Sequence, residues 1–296
     1  MTSAPSTTPF QIPVRRDVAF DFGATPAHHF AGNPRTSHLW NAVSILAPQT
    51  EAFLIRAMKR ARVAVQDEVL RRQVDAFLAQ EALHTRHHMA LNSRLAELGY
   101  DLERASAAAE RSLRRLTDRN DLRNALGLVI AGEYAIYILS RAVLEDPDVL
   151  APTTREVRRL LLWHALEEME HQSVACDVYH HLYGKGVRHR FIHMRALVKA
   201  CRVLVDAIRG IETILMESES QLKPAQRRAH SAYLLWSPGL LWRVLAKLPR
   251  FFAPAFRHWS DRSDSRLIAA AVDRVYDEAR NPHSTWVAEG AAGAVQ

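Results

Sequence analysis

Only 11 glycines are spread over 296 residues, and most of the 13 prolines fall outside the periodic stretches. Sandwiches and barrels turn often and need glycine at those turns, whereas helix interiors avoid it. Roughly half the usual glycine share of ~7% therefore predicts long helices. Hydrophobic periodicity places them over about 37–64, 67–98, 120–144 and 153–183, then 187–218, 224–248 and 265–279. Pro48 is expected to kink or restart the first helix and Gly99 to stop the second. Glu145-Asp146-Pro147 should close the third, Thr153 or Thr154 should cap the fourth, and Pro238-Gly239 should interrupt the sixth.

The second helix carries Glu81-Ala82-Leu83-His84 and the fourth carries Glu168-Met169-Glu170-His171. The spacing Glu-x-x-His sets a carboxylate and an imidazole about one turn apart on one helical face. With 17 Glu and 15 His, about one such match arises by chance, so position matters more than occurrence. Glu51 stands 30 residues before Glu81, and Glu133 stands 35 before Glu168. The chain thus reads Glu, Glu-x-x-His, Glu, Glu-x-x-His over two successive helical hairpins. Apolar residues flank each carboxylate: Phe53 and Leu54, Phe77 and Leu83, Ile130 and Ile136, Leu166 and Met169. Four carboxylates in such surroundings are costly unless a cation compensates them, and a pair of divalent ions would. The competing reading is solvated helix faces, with Glu51 simply favouring a helix N-terminus near Pro48.

This order of ligands resembles the dinuclear site of ferritin-like bundles, where two Glu-x-x-His helices face each other and two more supply a Glu each. The expected fold class is all-α, a ferritin-like four-helix bundle with additional C-terminal helices. Residues 1–36, broken by Pro5, Pro9, Pro13, Pro26 and Pro34, would form an N-terminal arm. Residues 37–184 would be the metal-binding bundle with a crossover near 101–117, 185–280 further helices packed on it, and 281–296 a loose tail.

Longer stretches carry a second resemblance. They are Gln80-Glu81-Ala82-x-His84-x-x-x-His88-x-x-x-Asn92 and Trp163-His164-x-x-Glu167-Glu168-x-Glu170-His171-x-x-Val174-Ala175-x-Asp177-Val178-Tyr179, with Pro254-Ala255-Phe256-x-x-Trp259 near the end. Over about 40–260 these are similar to the bacterial family labelled "predicted metal-dependent hydrolase", which implies a metal-dependent reaction. Thr50 in place of Gly before the first Glu, and Tyr134 in place of His after Glu133, depart from that pattern.

Glu51, Glu81, His84, Glu133, Glu168 and His171 are the expected metal ligands. His88, seven residues after Glu81, and His164, seven before His171, return to the same side. Each could be a ligand, a proton shuttle, a partner to a carboxylate or a core histidine. His164 and Tyr137, one turn after Glu133, are the candidates for proton transfer. Glu167 competes with Glu168. Glu170 and His87 should face outward, and Cys176 should be an inert buried thiol.

Two His and four carboxylates suit two iron ions, with manganese or zinc as alternatives. That chemistry points first to an O2-activating oxidase or oxygenase on a small, apolar substrate. Glu81 and Glu168 would bridge, Glu51 and Glu133 bind terminally, and His84 and His171 take one ion each. The alternative, which the resemblance to the metal-dependent hydrolase family implies, is a hydrolase with a water activated by two metals, and a further one is a non-catalytic metal-binding helical protein. The net charge of +7 speaks to partners and not to fold. The basic segments 104–123 and 185–202 lack interleaved aromatics, so nucleic acid is not expected. The Trp-rich basic stretch 233–256 could pack on the bundle, cover a substrate channel or lie in a membrane interface. Homodimer formation is compatible with such a bundle. Two cysteines, no apolar core in residues 1–16 and no uncharged apolar run of about 18 residues place the chain in the cytoplasm, with membrane association as the alternative.

Overall fold

The computed structural model describes residue 12 and residues 18–116, 121–252 and 262–280. Most of the expected arm before residue 18, the Pro254–Trp259 stretch and the tail 281–296 lie outside the described residues. Within them the protein is all-α. The helices are α1 (Pro34–Arg62), α2 (Glu68–Glu97), α3 (Leu102–Leu113), α4 (Leu122–Glu145), α5 (Arg155–His171), α6 (Val174–Tyr183), α7 (Val187–Glu217), α8 (Pro224–Leu235), α9 (Leu240–Leu245) and α10 (Arg262–Arg280). No strand occurs among the described residues; one antiparallel bridge, Phe30 to Thr153, ties the segment before α1 to the start of α5.

Short polar side chains start the first four helices. Asn33, Asp67, Asp101 and Asp121 each accept a hydrogen bond from a free N–H of the first turn. Pro48 neither ends nor restarts α1, which runs through it. Lacking an N–H, Pro48 frees the carbonyl of Ser44 one turn earlier, and Asn92 of α2 donates its Nδ2 there at 3.0 Å. The fourth expected helix is two: α5 ends at His171, and Gln172 and Ser173 leave the helical ladder before α6. Neither glycine nor proline marks that break, so nothing local in the sequence announces it.

α1, α2, α4 and α5 pack around the ligand positions, with α6 against α2 and α4. α4 is long and apolar enough to cross a membrane, yet it runs between α1, α5, α6 and α7 as the innermost helix. α7 approaches it closely at Gly127, where a Cβ would meet Ile192 Cγ2 at 3.2 Å. α3 lays its alanine face (Ala105, Ala108, Ala109) toward α7, forming with α1 and the end of α2 a second, smaller apolar cluster. Farther along, Tyr233, Leu240 and Phe251 turn inward while Trp236, 81% exposed, and Trp242 turn out. α10 docks on α5 and α4, and Asp264 on it is buried against Arg141 and the Tyr137 hydroxyl.

Candidate metal centre

Glu51 on α1, Glu81 and His84 on α2, Glu133 on α4, and Glu168 and His171 on α5 all point into the middle of the bundle, none more than 2% exposed. His171 Nε2 faces Glu81 Oε1 at 3.2 Å, Glu168 Oε2 at 3.2 Å and Glu133 Oε2 at 3.4 Å. His84 Nδ1 faces Glu168 Oε1 at 3.3 Å and Glu81 Oε2 at 4.0 Å. Ligand atoms of Glu81, Glu133, Glu168 and His171 lie within 4.8 Å of one another, as do those of Glu51, Glu81 and His84. Glu81 belongs to both groups, and Glu168 also shares one with His84 and His164.

The outer nitrogen of each imidazole is held by an oxygen. His84 Nε2 donates to Glu167 Oε2 at 3.2 Å. His171 Nδ1 donates to Gln80 Oε1 at 3.0 Å, and the Gln80 amide is oriented by its own Nε2, which reaches Glu170 Oε2 at 3.5 Å. In the neutral rings, the inward nitrogen of each therefore presents a lone pair to carboxylate oxygens. Lone pair against lone pair is repulsive, and only a proton or a cation between them makes the arrangement stable. Both oxygens of Glu81, Oε1 of Glu51, Oε1 of Glu133 and Nδ1 of His84 are buried without a hydrogen-bond partner. Such orphans are costly, and their convergence fits divalent metal.

Electrostatics of the centre say the same. Burial, aided by the Glu81 charge, pushes Glu51 up to about 8. Burial does the same to Glu133, to about 8, against the pull of His171. Burial disfavours a charge on His84, but hydrogen bonds to Glu167 and Glu168 outweigh it and raise the imidazole to about 10. Protons take the places that cations would occupy.

Behind this centre a second chain of hydrogen bonds has only one self-consistent direction. Asn92 Nδ2 donates to the Ser44 carbonyl, so Asn92 Oδ1 accepts from Ser44 Oγ at 2.9 Å. Ser44 Oγ must then accept from His88 Nδ1 at 3.0 Å, and His88 Nε2 accepts from His164 Nδ1 at 2.6 Å. In a neutral ring His164 Nε2 then carries the lone pair, 2.8 Å from Glu168 Oε1, a contact that needs a proton or a cation between the two atoms. His88 is thereby a partner that orients His164. Burial and the His84 charge hold His164 below the usual imidazole range. It keeps 13% of its side chain exposed where His84 and His171 have none.

The remaining expected residues fall as follows. Glu167 stands behind His84 and also accepts from Tyr276 of α10 at 3.4 Å. Tyr137 turns its hydroxyl to Asp264 at 3.0 Å and to Arg141, and belongs to none of the ligand groups. Cys176 is buried, with burial raising its thiol. Two orientations are corrected: Glu170 and His87 are buried. The other neighbours of α2 and α5 cover what helical angle alone assigns to solvent, Phe20 and Trp163 closing edge-on over His87. Residues that spacing did not single out are Thr85, whose hydroxyl donates to Glu51 Oε2 at 2.6 Å, together with Ser44 and Tyr276. Ser44 could have been found, being two turns before Glu51; Tyr276, more than a hundred residues from Glu167, could not.

The family described as "Predicted metal-dependent hydrolase" matches residues 14–261. The chain belongs to that family. No curated protein and no solved structure matches the chain significantly. Metal dependence and hydrolysis are what the family description carries, and the buried His/Glu groups accord with the first. The expected O2-activating oxidase finds no support there; the hydrolase alternative does.

Proposed function

We propose that this member of the metal-dependent hydrolase family cleaves its substrate with water at a dinuclear carboxylate–histidine centre. The observation that carries the reading is the convergence of unpaired Glu81, Glu51, Glu133 and His84 atoms from three helices in the buried middle of the bundle. Two divalent ions there would lower the pKa of a water and stabilise the oxyanion that develops on the substrate. Glu51, Glu81, His84, Glu133, Glu168 and His171 would hold the two ions. Six-coordinate manganese or iron suits these donors better than tetrahedral zinc.

The chain's own part is to place these donors and move the proton. Glu167 and Gln80 keep the inward nitrogens of His84 and His171 unprotonated for binding. His164, neutral at pH 7 because burial disfavours its charge, takes the proton of the attacking water on Nε2 as general base. His88 and Ser44 hold the opposite edge of the ring so that this lone pair stays aimed at the centre. Partial exposure of His164 makes its side the route for water.

The test is metal analysis of the purified protein, then assay of manganese-, iron- and zinc-loaded forms on ester and phosphoester panels without O2. Anaerobic, metal-dependent turnover that Glu168→Ala abolishes is expected. Ferrous protein that consumes O2 and cleaves nothing anaerobically would overturn hydrolysis.

A further inference from the structure

His28, His38, Tyr100 and Glu219 form a separate cluster on four convergent segments of the chain. His28 precedes α1, His38 lies in its first turns, Tyr100 follows α2, and Glu219 follows α7. His38 is 13 residues before Glu51 on the same helix, which sets the cluster about 20 Å along α1 from the buried centre. Glu219 Oε1 accepts from His28 Nε2 at 2.8 Å, from His38 Nε2 at 2.8 Å and from the Tyr100 hydroxyl. A carboxylate oxygen has two lone pairs, so three donors overfill it.

We propose that His28 Nε2, His38 Nε2 and Glu219 hold a second, mononuclear metal site of the zinc type, with the Tyr100 hydroxyl beside the fourth position. Ligand atoms of the three residues already lie within 4.8 Å of one another. Bonds of about 2.0–2.2 Å in a tetrahedron put ligands about 3.4 Å apart, so the 2.8 Å contacts need to open by only about half an ångström. Two imidazoles and a carboxylate are a donor set that suits such a cation. The buried Asn41 amide meets His38 Nδ1 at 3.2 Å and His29 Nε2 at 2.9 Å. An ion here clamps the segment before α1 and the end of α7 onto the bundle. His28, 34% exposed, lets it exchange.

Zinc titration is done on protein whose buried centre is disabled by Glu81→Ala with Glu168→Ala. One equivalent should bind and raise the melting temperature, cobalt should give the intense visible bands of a tetrahedral site, and adding His28→Gln should remove both signals. A folded protein that binds no zinc, or binds it equally with His28→Gln, overturns the site. Should the disabled protein not fold, total metal in wild type against His28→Gln decides: one equivalent fewer is expected, and equal content refutes it.

Discussion

His88 Nε2 lies 2.6 Å from His164 Nδ1, and the direction of that bond is dictated from α1, by a carbonyl that Pro48 has freed. Asn92 is the link. Asn92→Ala leaves the Ser44 carbonyl unpaired and the His88 ring without its anchor, so it should cost about 1–3 kcal/mol in urea denaturation. Metal affinity at the buried centre should fall about 10–100-fold. Ser44→Ala should reproduce the affinity loss with a smaller stability loss, because the carbonyl keeps its donor. Unchanged affinity in both would mean that this chain does not position His164.

The metal-free protein should lose stability as pH rises from 6.5 to 8. Glu51 and Glu133 are held up at about 8 by burial and neighbouring carboxylates. A carboxyl raised in the folded state contributes stability that is full below its unfolded pKa and lost as pH rises through the folded one. His84, raised to about 10, acts in the same direction above 6.5. Below 6.5 the sign reverses, since burial lowers His29, His180, His193 and His230 to about 4 and stability is lost as pH falls toward that value. Thermal melts with chelator should therefore peak near pH 6.5. Metal-loaded protein should gain stability over 6.5–8, because its ligands bind deprotonated. A metal-free melting temperature that climbs between 6.5 and 8 would contradict the buried carboxylates.

Thr85 acts on the same equilibrium. Its 2.6 Å hydrogen bond favours the charged form of Glu51, so Thr85→Val should push that carboxyl higher still. At pH 7 metal binding should weaken about tenfold, and at pH 9 the defect should nearly vanish as deprotonation completes. Metal titrations at the two values check this; an equal defect at both would place the effect of Thr85 elsewhere.

Period and spacing predict most of the helices and set Glu51, Glu81, His84, Glu133, Glu168 and His171 on faces that meet in the buried middle of the bundle, because a pair on one helix face is a local property. What packs on the other faces is not local. Glu170 and His87 sit at outward angles on α5 and α2, yet they are buried. Tyr137 has the right angle one turn after Glu133, yet α10 brings Asp264 to its hydroxyl. The break after His171 and the arrival of Tyr276 at Glu167 likewise depend on contacts between distant segments. His28 and His38 went unread for that reason: their third partner, Glu219, is about 180 residues further on.

The two aromatic residues Tyr233 and Trp236 separate packing from exposure in the C-terminal third. Tyr233 accepts from Trp40 Nε1 at 3.0 Å and donates to the Val149 carbonyl at 3.1 Å, joining α8 to α1 and to the turn before α5. Tyr233→Phe strands both groups in an apolar setting and should cost about 1–3 kcal/mol. Trp236, three residues on, is 81% exposed, so Trp236→Ser should stay within about 0.5 kcal/mol of wild type. Chemical denaturation of the two variants side by side measures the difference. Equal losses would show that Trp236 is covered in solution, by a second copy or by a segment outside the described residues.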